Sequence, residues 1–192
     1  PIQNASDHDS AKIKRIETSQ KPTTGKEEKM FCYQCEQTAG GSGCVKMGVC
    51  GKTPEAAELQ DLLIYAAKGI ANWTHRAAQM GIRNREIDRF ILEALFSTVT
   101  NVNFDPERLE KLIRQADKVL THARRLYEDG CKKAGKTPEH LSGPASWRLP
   151  PSRQQMLQEA ESISIAGRLE SLGPDIAGLQ ELILYGLKGM AA

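Results

Sequence analysis

The chain has 192 residues, 40% of them apolar, 5% aromatic and 26% charged, with a formal net charge of +2. This is the balance of an ordinary globular protein, and the small charge leaves no electrostatic case for a nucleic-acid or membrane-surface partner. No apolar run approaches the roughly 20 residues needed to span a bilayer. With no secretory signal evident, the expectation is a cytoplasmic protein.

In chain order, residues 1–29 are rich in Ser, Thr, Lys, Gln and Asp and nearly devoid of apolar residues. Such a segment cannot bury enough surface to offset its ordering entropy. It reads as a disordered N-terminal extension, with the folded part starting at Met30. Residues 30–53 read as a loop rich in cysteine and glycine. Four of the five cysteines lie there, Cys32, Cys35, Cys44 and Cys50, and the glycines rule out a long helix.

From Thr53 the pattern turns helical. Thr53 can cap and Pro54 suits a first helical position. Leu59, Leu62, Leu63, Ala66, Ile70, Trp73, Ala77 and Met80 then keep the three-to-four spacing of one buried face up to Gly81. Ile87 to Val99 predicts a second helix. Asp105-Pro106 opens a third, with Leu109, Leu112, Ile113, Ala116, Val119, Leu120, Ala123 and Leu126 inward. Residues 135–152 hold four of the nine prolines and form a loop, with Trp147 as its anchor on the helices. Ser152 caps a fourth helix that runs to a break at Gly173-Pro174, and a fifth begins near Asp175. No segment alternates with period two. The fold class is therefore all-α, an antiparallel helical bundle over residues 54–192.

Residues 59–71 read LQDLLIYAAKGIA and residues 179–191 read LQELILYGLKGMA. Seven of these thirteen positions are identical at an offset of 120. Neither the shared Tyr nor the shared Gly is demanded by a helical period. A duplicated helical unit is the better reading, with the chain ending inside the second copy as one piece of a longer polypeptide.

The cysteine motif is Cys32-x2-Cys35-x8-Cys44-x5-Cys50. In a chain without a signal peptide, clustered thiols point to a metal or cluster site in a reducing compartment rather than to disulfides. Four thiolates suit zinc or an iron–sulfur cluster. Zinc sites commonly pair two Cys-x2-Cys knuckles a dozen or more residues apart, which this spacing does not do, so a cluster is preferred and a zinc-stabilised binding module is the alternative. Lys46 and Lys52 either temper the negative charge of such a centre or are ordinary solvated lysines. Cys131 stands alone and reads as a structural thiol. His75, His122, His140, Glu36 and Asp61 pair with no nucleophile and read as core or solvated groups, the two acids as surface charges.

The stretch from Met30 through Cys32-Tyr33-Gln34-Cys35-Glu36-Gln37-Thr38, then Gly43-Cys44 and Val49-Cys50-Gly51-Lys52, resembles the opening of hybrid-cluster (prismane) proteins, the hydroxylamine reductase family. LQDLLIYAAKGIANW and LQELILYGLKGMAA are similar to that family too. The resemblance runs from Met30 to the end and is strongest over 30–73 and 179–192. It implies that Cys32, Cys35, Cys44 and Cys50 hold a 4Fe–4S cluster. A subgroup with wider cysteine spacing holds a 2Fe–2S cluster instead. It further implies an oxidoreductase that reduces hydroxylamine to ammonia on a second, hybrid iron–sulfur–oxygen cluster. That cluster's ligands lie in later domains, and no residue here matches them. The implied role of this portion is electron relay, with the remainder of the polypeptide, a redox donor and hydroxylamine as partners.

Overall fold

Six α-helices fill most of residues 30–192, the part of the chain that the computed structural model describes. The extension expected over residues 1–29 lies outside the described residues. Helices start where a side chain can accept from their unpaired first amides. Helix α1 (Pro54–Gln79) is capped by Thr53, which accepts from the Ala56 amide at 3.2 Å. Helix α2 (Arg85–Ser97) is capped by Asn84 and α3 (Pro106–Lys133) by Asp105, each accepting from two amides. The fold is all-α. Among the described residues the one β-type pairing is an isolated antiparallel bridge between Cys32 and Cys44.

The fourth predicted helix is in fact two, α4 (Arg153–Ile163) and α5 (Ile165–Leu172), followed by α6 (Pro174–Ala191). Ser164 leaves the helical region at φ −59°, ψ 165°, and its hydroxyl accepts from the Gly167 amide at 3.2 Å. A serine hydroxyl competes with the helical ladder for backbone partners. Here it caps α5 directly after α4 ends.

Helix α1 is the central element and packs against α3, α4, α2 and a short turn at Gly143–Ser146. Leu59, Leu62, Leu63, Ala66 and Ile70 of α1 are wholly enclosed by Leu109, Ile113, Ala116 and Leu120 of α3 and by Met156 and Ala160 of α4. The loop between α3 and α4 lies across this core as a strap. Trp147 is buried, as the sequence suggests, and the Trp73 indole donates to the Ala145 carbonyl at 2.9 Å. The strap crosses α1 at Gly69, where a Cβ would collide with the carbonyl oxygen of Pro144. That close approach is the packing reason for one of the repeat's unexplained glycines.

Helices α5 and α6 form an outer pair that leans on α2 and, through Ile64, Leu95 and Leu184, on α1. The two repeat copies are used differently. Leu59, Leu62, Leu63 and Ile70 of α1 have no exposed surface, whereas their equivalents Leu179, Leu182, Ile183 and Met190 of α6 are 63%, 66%, 66% and 82% exposed. The face that α6 does bury carries Ala177, Glu181, Leu184 and Lys188. Those positions match Ala57, Asp61, Ile64 and Lys68, so the copies meet through their second, mixed faces.

Candidate metal centre

The cysteine loop sits where the start of α1, the end of α2 and the end of α6 come together. Cys32 and Cys44 exchange two backbone hydrogen bonds, 3.1 Å from the Cys32 amide and 2.8 Å from the Cys44 amide. The Thr38 amide closes a turn on the Cys35 carbonyl at 3.2 Å, and the Thr38 hydroxyl donates to the Cys32 carbonyl at 3.1 Å. Cys44 is buried, and Cys32, Cys35 and Cys50 are half-buried. Backbone amides of Val49 and Ala39 directed at the Cys44 sulfur hold its pKa below the ordinary thiol value, with smaller help from Thr38 and Lys52. A lowered thiol pKa favours thiolate, the form that ligates iron and zinc. The Val49 amide brings the Cys50 turn against Cys44. At Gly48 a Cβ would sit 3.0 Å from the Cys50 sulfur and 3.2 Å from the Lys52 amide nitrogen, so a side chain there would have to push this turn aside by a few tenths of an ångström.

Two ammonium groups are buried beside these thiols. Lys52 is 4% exposed; its Nζ donates to Gln60 Oε1 at 2.7 Å and approaches the Cys32 sulfur at 3.9 Å. Lys188 of α6 is 8% exposed and donates to Gln34 Oε1 at 2.8 Å and to the Thr98 carbonyl at 3.2 Å. Gln34 lies between Cys32 and Cys35, and its amide nitrogen is anchored to the Thr98 carbonyl and the Thr100 hydroxyl. Cys32, Lys52, Asp61, Glu181 and Lys188 all line one internal cavity of about 20 Å³. Burial pushes Lys188 down to about 8, and Asp61 opposes that shift. The described residues place no carboxylate within salt-bridge distance of either lysine; Glu181 is committed to Arg168 at 2.6 Å. A buried cation requires an anionic or hydrogen-bonding partner; Gln60, Gln34 and the Thr98 carbonyl supply the hydrogen bonds, and Asp61, Glu181 and the Cys32 thiol are the anionic groups lining the same cavity.

Among the described residues no three His, Cys, Asp or Glu side chains converge at the spacing of a single bound ion. Around one zinc, with bonds of about 2.3 Å, tetrahedral thiolates stand only about 3.8 Å apart. A cluster of several irons takes each thiolate at its own corner. Four thiols on one loop, amides aimed at the Cys44 sulfur and buried positive charge beside Cys32 form a donor set whose chemistry fits a thiolate-bound iron–sulfur cluster.

Residues 30–192 match the Prismane/CO dehydrogenase family. The chain belongs to that family. Members similar to it include a hydroxylamine reductase of Rhodospirillum rubrum, 53% identical over 163 residues, and one of Acidithiobacillus ferrooxidans, 47% identical over 167. A third, from Geobacter sulfurreducens, is 42% identical over 165 residues. The first two alignments cover 85% of this chain but only 30% of the relatives, so it corresponds to an N-terminal portion of prismane-type proteins.

Within this prismane portion Cys131 is buried in the main core beside Tyr127, whereas Cys44 packs with Met30 and Ala57. His75, His122, His140, Glu36 and Lys46 are exposed. Two sequence expectations need correction. Lys52 is not a solvated lysine. Asp61 is not a surface charge: it is half-buried, lines the small cavity, and burial raises its pKa from 3.8 to about 6, partly offset by Lys188. Gln34, Gln60 and Lys188 lie in the quoted resemblance and in the two repeat copies, but nothing in the sequence assigns them a role beside the cysteines.

Proposed function

We propose that Cys32, Cys35, Cys44 and Cys50 hold a 4Fe–4S cluster and that this portion of the molecule relays electrons. Residues 30–53 are then the cluster-binding loop and residues 54–192 the helical domain that supports it. The observation that carries the reading is the pair of buried ammonium groups, neither in a salt bridge, beside a loop with four thiols. When bound, such a cluster supplies reversible one-electron storage. The protein's part is to hold the thiolates, aim amides at sulfur and keep water away. The relatives' name extends the reading to the whole protein: an oxidoreductase that reduces hydroxylamine. A cytoplasmic location goes with this proposal, since clustered thiols that ligate metal suit a reducing compartment. That reaction consumes two electrons and two protons, breaks the N–O bond, and yields ammonia and water. The remainder of a longer polypeptide would supply the hybrid cluster and a redox protein the electrons.

The test is iron and sulfide analysis of anaerobically purified protein. Cys32→Ser, Cys35→Ser, Cys44→Ser and Cys50→Ser should each lose the cluster, and Cys131→Ser should keep it. A colourless wild-type protein carrying one zinc per chain overturns the reading in favour of a zinc-stabilised module.

A further inference from the structure

Lys46 and Lys52 belong to the same loop, yet only one is drawn inside. Lys46 is exposed, whereas Lys52 is held by a chain of fixed partners. Its Nζ donates to Gln60 of α1; the Gln60 amide donates to the Asn103 carbonyl at 2.7 Å, and the Asn103 amide to the Ser97 hydroxyl at 2.8 Å. The Phe104 ring lies under the ammonium at 5.7 Å. Three separate segments thus fix one positive charge beside the Cys32 sulfur. A pin for Gln60 alone would not call for a charge, since a neutral amide can donate the same bond without the desolvation cost of an ammonium.

We propose that Lys52 is a positioning residue that sets the reduction potential of the centre held by the four cysteines. The inference rests on the cluster reading above. A fixed positive charge near a redox group stabilises the state that has gained an electron, so Lys52 raises the potential. The step is the transfer of one electron from an external low-potential reductant, which is itself oxidised. No proton moves and no bond to Lys52 forms.

The experiment is an anaerobic redox titration with dithionite and mediators, followed by electron paramagnetic resonance, on protein with matched iron and sulfide content. Lys52→Gln keeps the donor to Gln60 and removes the charge. Its potential should fall by at least 59 mV, a tenfold change in a one-electron equilibrium. Lys52→Arg and Lys46→Gln should stay within threefold of wild type. If Lys52→Gln fails to load while Lys52→Arg loads at the wild-type potential, the charge role stands. A fully loaded Lys52→Gln with unchanged potential overturns it. So does an equal shift in Lys52→Arg, or loss of the cluster from both variants. Wild-type protein that takes up no iron and sulfide overturns the cluster reading itself, a result separate from any of these.

Discussion

Asp61 and Lys188 show how two ionisable side chains can oppose the fold that encloses them. Each sits where its charged form is disfavoured, the acid raised to about 6 and the ammonium lowered to about 8, burial being the larger cause in both. For Asp61 the folded state therefore holds its proton more tightly than the unfolded chain between about pH 4 and pH 6. Stability falls as pH rises through that window, and the penalty is fully present above it. Asp61→Asn should match wild type in thermal melts near pH 4 and melt a few degrees higher at pH 7. Equal melting temperatures at pH 7 would mean that the carboxylate is well solvated. The four clustered cysteines could be found from spacing alone, because a metal-type motif is local. Asp61 could not: apolar periodicity marks one face of α1, and the acid lies on another face whose covering residue, Lys188, is 127 positions away.

At the scale of helices, the duplicated segment provides an internal control. Leu62 and Leu182 occupy equivalent positions in α1 and α6, yet one is enclosed and the other is largely exposed. Leu62→Ala should destabilise the chain by about 2–5 kcal/mol, as enclosed leucines do. Leu182→Ala should change stability by no more than about 0.5 kcal/mol. Chemical denaturation of the two variants checks this, and an equal loss in both would show that α6 buries its leucines as α1 does. Helix positions followed from periodicity and caps at Thr53, Asp105 and Ser152. The break at Ser164 did not, since its signal is a single hydroxyl inside an otherwise helical run. The glycine of the repeat is likewise explained at Gly69 only by the strap above it, a contact between segments some 75 residues apart.

For the molecule as a whole, the chain spans about 30% of the length of the curated relatives it matches. No helix among the described residues is long and apolar enough to cross a membrane. Turnover of hydroxylamine needs an open metal position where the N–O bond can be polarised, and four thiolates around one cluster leave none for substrate. The reconstituted 192-residue chain should therefore take up and release an electron but produce no ammonia catalytically from hydroxylamine and dithionite. Catalytic ammonia production by this chain alone would relocate the chemistry to it. The bond from Lys188 to Gln34 spans 154 residues of sequence, and that separation has a bearing on the order of assembly. At synthesis rates of about 5–20 residues per second, the cysteine knuckle leaves the ribosome roughly 8–30 s before the lysine that braces it. During that interval the nascent loop lacks the closing clasp from Lys188, and its thiols stand open to solvent. If the four cysteines take up iron as proposed, iron delivered before α6 arrives would meet a half-built socket, which ties loading to completion of this domain rather than to the emergence of the thiols.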